Sequence, residues 1–217
     1  VVRIYPPLLP LCADTSPAED IAAGRVPALA ELRLHQSTVW LWNRPIYDDA
    51  DGGHLRVEMR SLPAGPTPLD MVANAAFLVG LAEGIRPDIH ELLPAIPFHI
   101  AEYNFYRAAQ HGLDARLVWP EPDQSGYREQ SVYDIIARLL PLAAAGLDSI
   151  GIDGGERDRY LGVIERRLAT RQTGAIWQRE MLSKLKQRMP AEAALHELLE
   201  LFIGYSTANL PVAEWEL

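Results

Sequence analysis

The segment His54-Leu55-Arg56-Val57-Glu58-Met59-Arg60 alternates without a fault between charged and apolar side chains. Successive side chains of a strand point to opposite faces, so His54, Arg56, Glu58 and Arg60 project to one side and Leu55, Val57 and Met59 to the other. One carboxylate among cationic groups has recognisable chemistry. Glu58 is an oxygen ligand for a divalent cation, and Arg56 and Arg60 are guanidinium forks for phosphate or carboxylate oxygens, with His54 beside them. The same alternation is also what a half-buried sheet shows, with a solvated face whose neighbouring charges offset one another. The spacing alone leaves both readings open.

A second set precedes it. Trp40, Trp42 and Arg44 recur at two-residue spacing, so all three share one face of a strand, and Asn43 and Arg44 close that strand just before Pro45. An arginine beside tryptophans is either a stacked anion clamp or an edge residue lying over aromatic area. Further on, Thr67-Pro68-Leu69-Asp70 reads as a helix start, with Thr as cap, Pro at the first helical position and Asp near the positive helix end. That makes Asp70 structural rather than catalytic. Asn74 follows on the same face of a nearly all-apolar helix and needs a partner, expected to be backbone of an underlying sheet. Asn104, Arg107 and His111 share one face of a later helix, as an active-site wall or as an exposed stripe.

Other chemistries find no support. None of the six histidines makes a spacing with another His, Cys or Glu specific enough to mark a metal site. Cys12 and His35 are far apart and lack a third partner, so a thiol nucleophile is not indicated. The chain has no GxGxxG, Walker A or GxSxG pattern, and Gly151-Ile152-Asp153-Gly154-Gly155 reads as a turn. A single cysteine forms no internal disulfide, which fits a reducing, cytoplasmic setting. The net charge of −9 over 217 residues repels nucleic acid and anionic membranes. No run of eighteen uncharged apolar residues occurs, so no membrane span is expected.

The elements that must position these residues divide near Pro63. Before it lie β-prone segments at Val1 to Tyr5, Thr38 to Arg44 and His54 to Arg60, with helical sequence from Pro17 to His35. The acidic loop Pro45 to Gly53 is too short for a helical crossover, so the last two segments should pair antiparallel. After Pro63 the pattern is almost wholly helical: Thr67 to Arg86, Pro97 to His111, Val132 to Ala145, Arg157 to Arg171, Gly174 to Met189 and Pro190 to Tyr205. Pro120 to Gln130 reads as a polar loop and the likeliest mobile excursion. The class is α+β.

The blocks TVWLWNRPIYD, HLRVEMRSLPAGPTPLDMVANAAFLVGL, NFYRAAQHGLDARLVW and RQTGAIWQ together resemble the C-terminal half of the glutamate–cysteine ligase type 2 family, in its bacterial carboxylate–amine ligase branch. The resemblance runs from about Val1 to Trp215. It implies an antiparallel sheet of the glutamine synthetase and guanidino kinase type, with a mostly helical C-terminal layer. It implies ATP and Mg2+, an amino acid and an amine as substrates, and an amide bond made through an acyl phosphate. Glu58-Met59-Arg60 matches the Glu-x-Arg pair of the related synthetases, with Glu58 as metal ligand and Arg60, joined by Arg56, as catalytic phosphate or carboxylate binders. Arg44 and Asn43 match an Asn-Arg element and become substrate contacts together with His54, while Asp70 and Asn74 become supporting residues. The family's N-terminal strands, with their further metal ligands, are not in the chain. Val1 therefore reads as an internal start, and the N-terminal half of the same protein as a partner, with a homo-oligomer compatible. The rival from another class is a non-catalytic binding or assembly domain on a ligase-like scaffold.

Overall fold

A computed structural model describes residues 16–38, 42–121 and 126–217. Val1 to Tyr5, Cys12 and Trp40 lie outside the described residues. The chain divides into two compact units, Val1–Pro63 and Ala64–Leu217. The shift in composition falls at the same place.

In the first unit, α1 (Pro17–Ala22) begins at a capping box. The Glu19 amide donates to Ser16 Oγ, and the Ser16 amide donates to Glu19 Oε2. The helical stretch expected up to His35 breaks here, because Gly24 takes φ +68° and Pro27 follows. Helix resumes as α2 (Ala30–Thr38). Strands β1 (Asn43–Asp48) and β2 (His54–Met59) form an antiparallel hairpin closed by a 3-10 turn at Ala50–Gly52.

The pairing is the expected one, but the first strand is displaced. Thr38 ends a helix, and Asn43 and Arg44 open β1 rather than close it. Pro45 is tolerated inside β1 for a geometric reason. Tyr47, two residues on, turns its N–H away from β2 to Gln36 Oε1, so the nitrogen of Pro45 faces that same outer edge, where a missing N–H breaks no ladder bond. The alternation of β2 is also present, with its apolar side left bare: Leu55 is 79% and Val57 57% exposed, while Glu58 is half-buried. The described strands and helices of this unit have too little apolar surface to cover both faces.

The second unit is mostly helical. α3 (Pro68–Ile85), α4 (Ile89–Ala95) and α5 (Phe98–His111) lead into β3 (Arg116–Pro120) and β4 (Tyr127–Ser131). Then come α6 (Val132–Ser149), α7 (Gly154–Thr170), α8 (Gly174–Lys186) and α9 (Ala191–Thr207). Asp153 caps α7, accepting from the amides of Gly155 and Glu156, so the glycine-rich stretch is a turn. The β3–β4 hairpin corrects the expectation of a loop from Pro120 to Gln130. Tyr-Arg-Glu-Gln-Ser has no apolar alternation to announce a strand, and its partner supplies the burial through Leu117.

α3, α6 and α7 share the main core, built on Ala73, Leu140, Ala143, Leu147, Leu161, Val163 and Ile164. Trp177 and Trp215, with rings 4.7 Å apart and edge-on, anchor the C-terminal segment against α8 and α9. The helical stretch Pro68–Leu92 is long and apolar enough to cross a membrane by length and composition, although it carries Asp70 and Glu83. One side of α3 packs on α6, where glycines set the spacing. A Cβ on Gly146 of α6 would collide with the Gly80 carbonyl oxygen and lie 2.6 Å from the Gly84 amide nitrogen of α3. Among the described residues the fold is α+β with two small antiparallel sheets, each of two strands.

Candidate functional site

Register brings together what spacing could not. Arg44 stands directly opposite Glu58, Ile46 opposite Arg56 and Asp48 opposite His54, all on one face of the hairpin. Arg44 Nη2 lies 2.7 Å from Glu58 Oε2, and its Nη1 donates to the Gln36 carbonyl oxygen at 2.8 Å. The close pair is not aligned as a hydrogen bond, so Arg44 Nε and Glu58 Oε2 are buried without a hydrogen-bond partner. Arg56 Nη1 donates to Asp48 Oδ2 at 2.9 Å and lies 2.8 Å from His54 Nε2. Arg33 pairs with Asp49 at 2.7 Å.

Arg33, Arg44 and Arg56 line a cavity of about 480 Å3 between α2 and the hairpin, with Tyr47 and Gln36 in its wall. Each guanidinium faces a carboxylate of the protein, so an incoming oxyanion would take a place now held by Asp48, Asp49 or Glu58. Arginine forks are side chains suited to holding oxyanions. Asn43 lies outside it: the residue faces Met59 on the other side of the hairpin and accepts from Ser61 Oγ. Arg60 follows the end of β2, with its amide bonded to the Trp42 carbonyl oxygen.

The supporting pair lies in the helical unit. Asp70, fully buried, accepts from Arg167 Nη2 at 2.7 Å, from Thr67 Oγ1 at 2.8 Å and from the Val212 amide at 3.1 Å. Arg167 Nη1 donates to Asn74 Oδ1. Asn74 therefore finds a guanidinium from α7, not the sheet backbone expected of it. Asn104 is buried and holds the backbone of β3, donating to the Val118 carbonyl oxygen and accepting from its amide, each at 2.8 Å. Arg107 and His111 form an exposed contact at 2.9 Å. That face carries one structural clamp, Asn104, followed by the exposed Arg107–His111 contact. Arg33, Asp48 and Arg167 were missed as site or support residues. For Asp48 the acidic loop was a usable signal, since short carboxylates in tight turns bind local amides.

The Ala50 amide, followed by the Arg56 guanidinium, holds the Asp48 carboxyl below the usual carboxylate range. A depressed folded value means that this support is present above the unfolded pKa of about 4 and is lost as pH falls below it. Amide hydrogen exchange should show unchanged protection of the β1–β2 turn between about pH 7 and 5 from this group, then a loss below about pH 4. Protection that stays flat down to about pH 2.5, or the same fall in Asp48→Asn, would count against it.

A divalent cation needs several oxygen ligands. Glu58 offers one carboxylate that already faces Arg44, and among the described residues no three His, Cys, Asp or Glu converge. These residues by themselves do not make a Mg2+ site. Comparison of the chain with protein-family models, with curated proteins and with solved structures gives no match.

Proposed function

We propose that these 217 residues are a C-terminal portion of an ATP-dependent carboxylate–amine ligase of the glutamate–cysteine ligase kind, working in the reducing cytoplasm. The observation that carries the reading is the cross-strand juxtaposition of Arg44 and Glu58. The resemblance draws these residues from two separate blocks, NRP and EMR, and the register faces them across one hairpin beside Arg56. Arg44 Nε, buried without a hydrogen-bond partner, is a donor that a ligand oxygen would satisfy.

In this class of reaction a substrate carboxylate oxygen attacks the γ-phosphorus of ATP and ADP leaves. The amine nitrogen then attacks the acyl carbon and inorganic phosphate departs. Such chemistry asks the protein for placement and for cationic groups against developing negative charge, not for a nucleophile. Arg44, Arg56 and Arg60 supply the charge, with His54 beside them. The ligands for a cation, beyond Glu58, would come from outside the described residues.

The test is release of inorganic phosphate from ATP by the full-length protein that depends on both an amino acid and an amine. Glu58→Gln should lower it by on the order of a hundredfold or more without unfolding the protein. Turnover at the wild-type rate would sink the assignment.

A second reading is a binding or assembly module on the same scaffold. What favours it is that each arginine of the cleft is matched by a carboxylate and that the described residues assemble no cation site. Calorimetric titration of the full-length protein with Mg-ATP separates the two. Saturable binding that Arg44→Gln weakens supports the ligase, whereas no binding at millimolar nucleotide supports the module.

A further inference from the structure

The stretch Arg171-Gln172-Thr173-Gly174 joins α7 to α8, and three of its four residues have evident structural work. Gln172 is buried and donates to the Val212 and Trp215 carbonyl oxygens at 2.7 and 2.8 Å, holding the C-terminal segment. Thr173 caps α8 through the Ile176 amide. Gly174 leaves room for Pro66, whose Cγ would lie 2.8 Å from a Cβ there. Arg171 is different. It takes the left-handed conformation, φ 56° and ψ 27°, at a helix C-terminus where glycine is the unstrained choice. Its side chain lines a cavity of about 460 Å3 with its guanidinium carbon 4.8 Å from the centre of the Tyr133 ring.

Two more observations converge on that cavity. The Tyr133 hydroxyl is buried and has no hydrogen-bond partner, although buried phenols regularly find one. Burial raises its pKa, so it remains an O–H donor at neutral pH. Arg179, from the second turn of α8, lines the same cavity. Among the described residues neither Arg171 nor Arg179 has a carboxylate at ion-pair distance, in contrast to Arg33, Arg44 and Arg56 of the cleft in the first unit.

We propose that this cavity binds the oxyanion group, phosphate or carboxylate, of a small ligand between Arg171, Arg179 and the Tyr133 hydroxyl. Two guanidinium forks and one phenol donor match the acceptor oxygens of a compact oxyanion. Asp114 and Glu180 line the cavity too and repel a second negative group, which selects a single oxyanion over a polyanion. The proposal does not depend on the ligase reading, whose charged residues Arg44, Arg56, Glu58 and Arg60 belong to the other unit.

The test uses the full 217-residue chain with labelled arginine and tyrosine, titrated at constant ionic strength with inorganic phosphate, acetate and, as polyanion, tripolyphosphate. Saturable NMR shifts of Arg171, Arg179 and Tyr133 with phosphate or acetate are expected, and the stronger of the two names the source. Tripolyphosphate should bind more weakly. Arg171→Gly should weaken binding about tenfold or more without lowering the Tm, because glycine accepts the left-handed backbone. Arg179→Gln should act alike, and Tyr133→Phe should cost roughly threefold to tenfold with stability unchanged. Absence of saturable binding to both probes, tighter binding of tripolyphosphate, or binding that survives both Arg171→Gly and Arg179→Gln would overturn the proposal.

Discussion

Asp70→Ala is expected to destabilise the helical unit by roughly 3–5 kcal/mol, the range for removing one partner of a buried ion pair. The carboxylate is fully buried and Arg167 nearly so, with a 14% exposed side chain. Alanine would leave the guanidinium without its counter-charge, and the Thr67 hydroxyl and the Val212 amide without their acceptor, at once. These donors come from the start of α3, from α7 and from the C-terminal segment, so one side chain ties three parts of the unit. The measurement is the chemical denaturation midpoint followed by circular dichroism. The double variant with Arg167→Met should cost less than the two single changes together, because the stranded charge is gone. A loss below about 1 kcal/mol for Asp70→Ala would show that the network is not a tie.

Gly146→Ala should be destabilising by roughly 1–3 kcal/mol or more, against the helix preference of about 1 kcal/mol that favours alanine. The two effects have opposite sign, and geometry decides between them. The added Cβ would strike the Gly80 carbonyl oxygen and crowd the Gly84 amide, which are backbone atoms that cannot rotate aside. α3 and α6 would have to move apart over the core that Ala73, Ala143 and Leu147 fill. Gly204 in α9 is the control. A Cβ there meets nothing within 4 Å, so Gly204→Ala should stabilise by up to about 1 kcal/mol. If thermal or chemical denaturation gave both substitutions the same sign, the close helix contact would be refuted.

The fold was legible where its signals are local. The start of α3 could be read from Thr67, Pro68 and Asp70, because a cap is made within three residues. The alternation of His54 to Met59 announced a strand, and the short acidic loop before it announced an antiparallel pair. β1 was misplaced because Trp40 and Trp42 are good strand residues by type, while Pro45 argues against a strand unless its nitrogen faces an edge. β4 was missed because its residues are polar and only β3 makes them a strand. Gly80 and Gly84, four apart, were a readable sign of close helix approach that was passed over.

The candidate site was legible as residues and not as an arrangement. Glu58, Arg56 and Arg44 stand out by type, but a slip of one position would have put Arg44 on the face that Asn43 occupies. Asn74 declared that it needed a partner and could not name one, since Arg167 lies 93 residues away. Arg171 and Tyr133 are unremarkable in sequence and become a candidate pair only because α7 ends beside α6. By itself, then, the chain's sequence determined the helix starts, the alternation of β2, the place where two units divide and the stock of charged side chains. Those depend on contacts a few residues apart. The tertiary structure alone decided which charges face each other, which apolar face lies bare and which phenol is left without a partner. Such juxtapositions come from strand register and helix packing across tens of residues, where local preference carries no information.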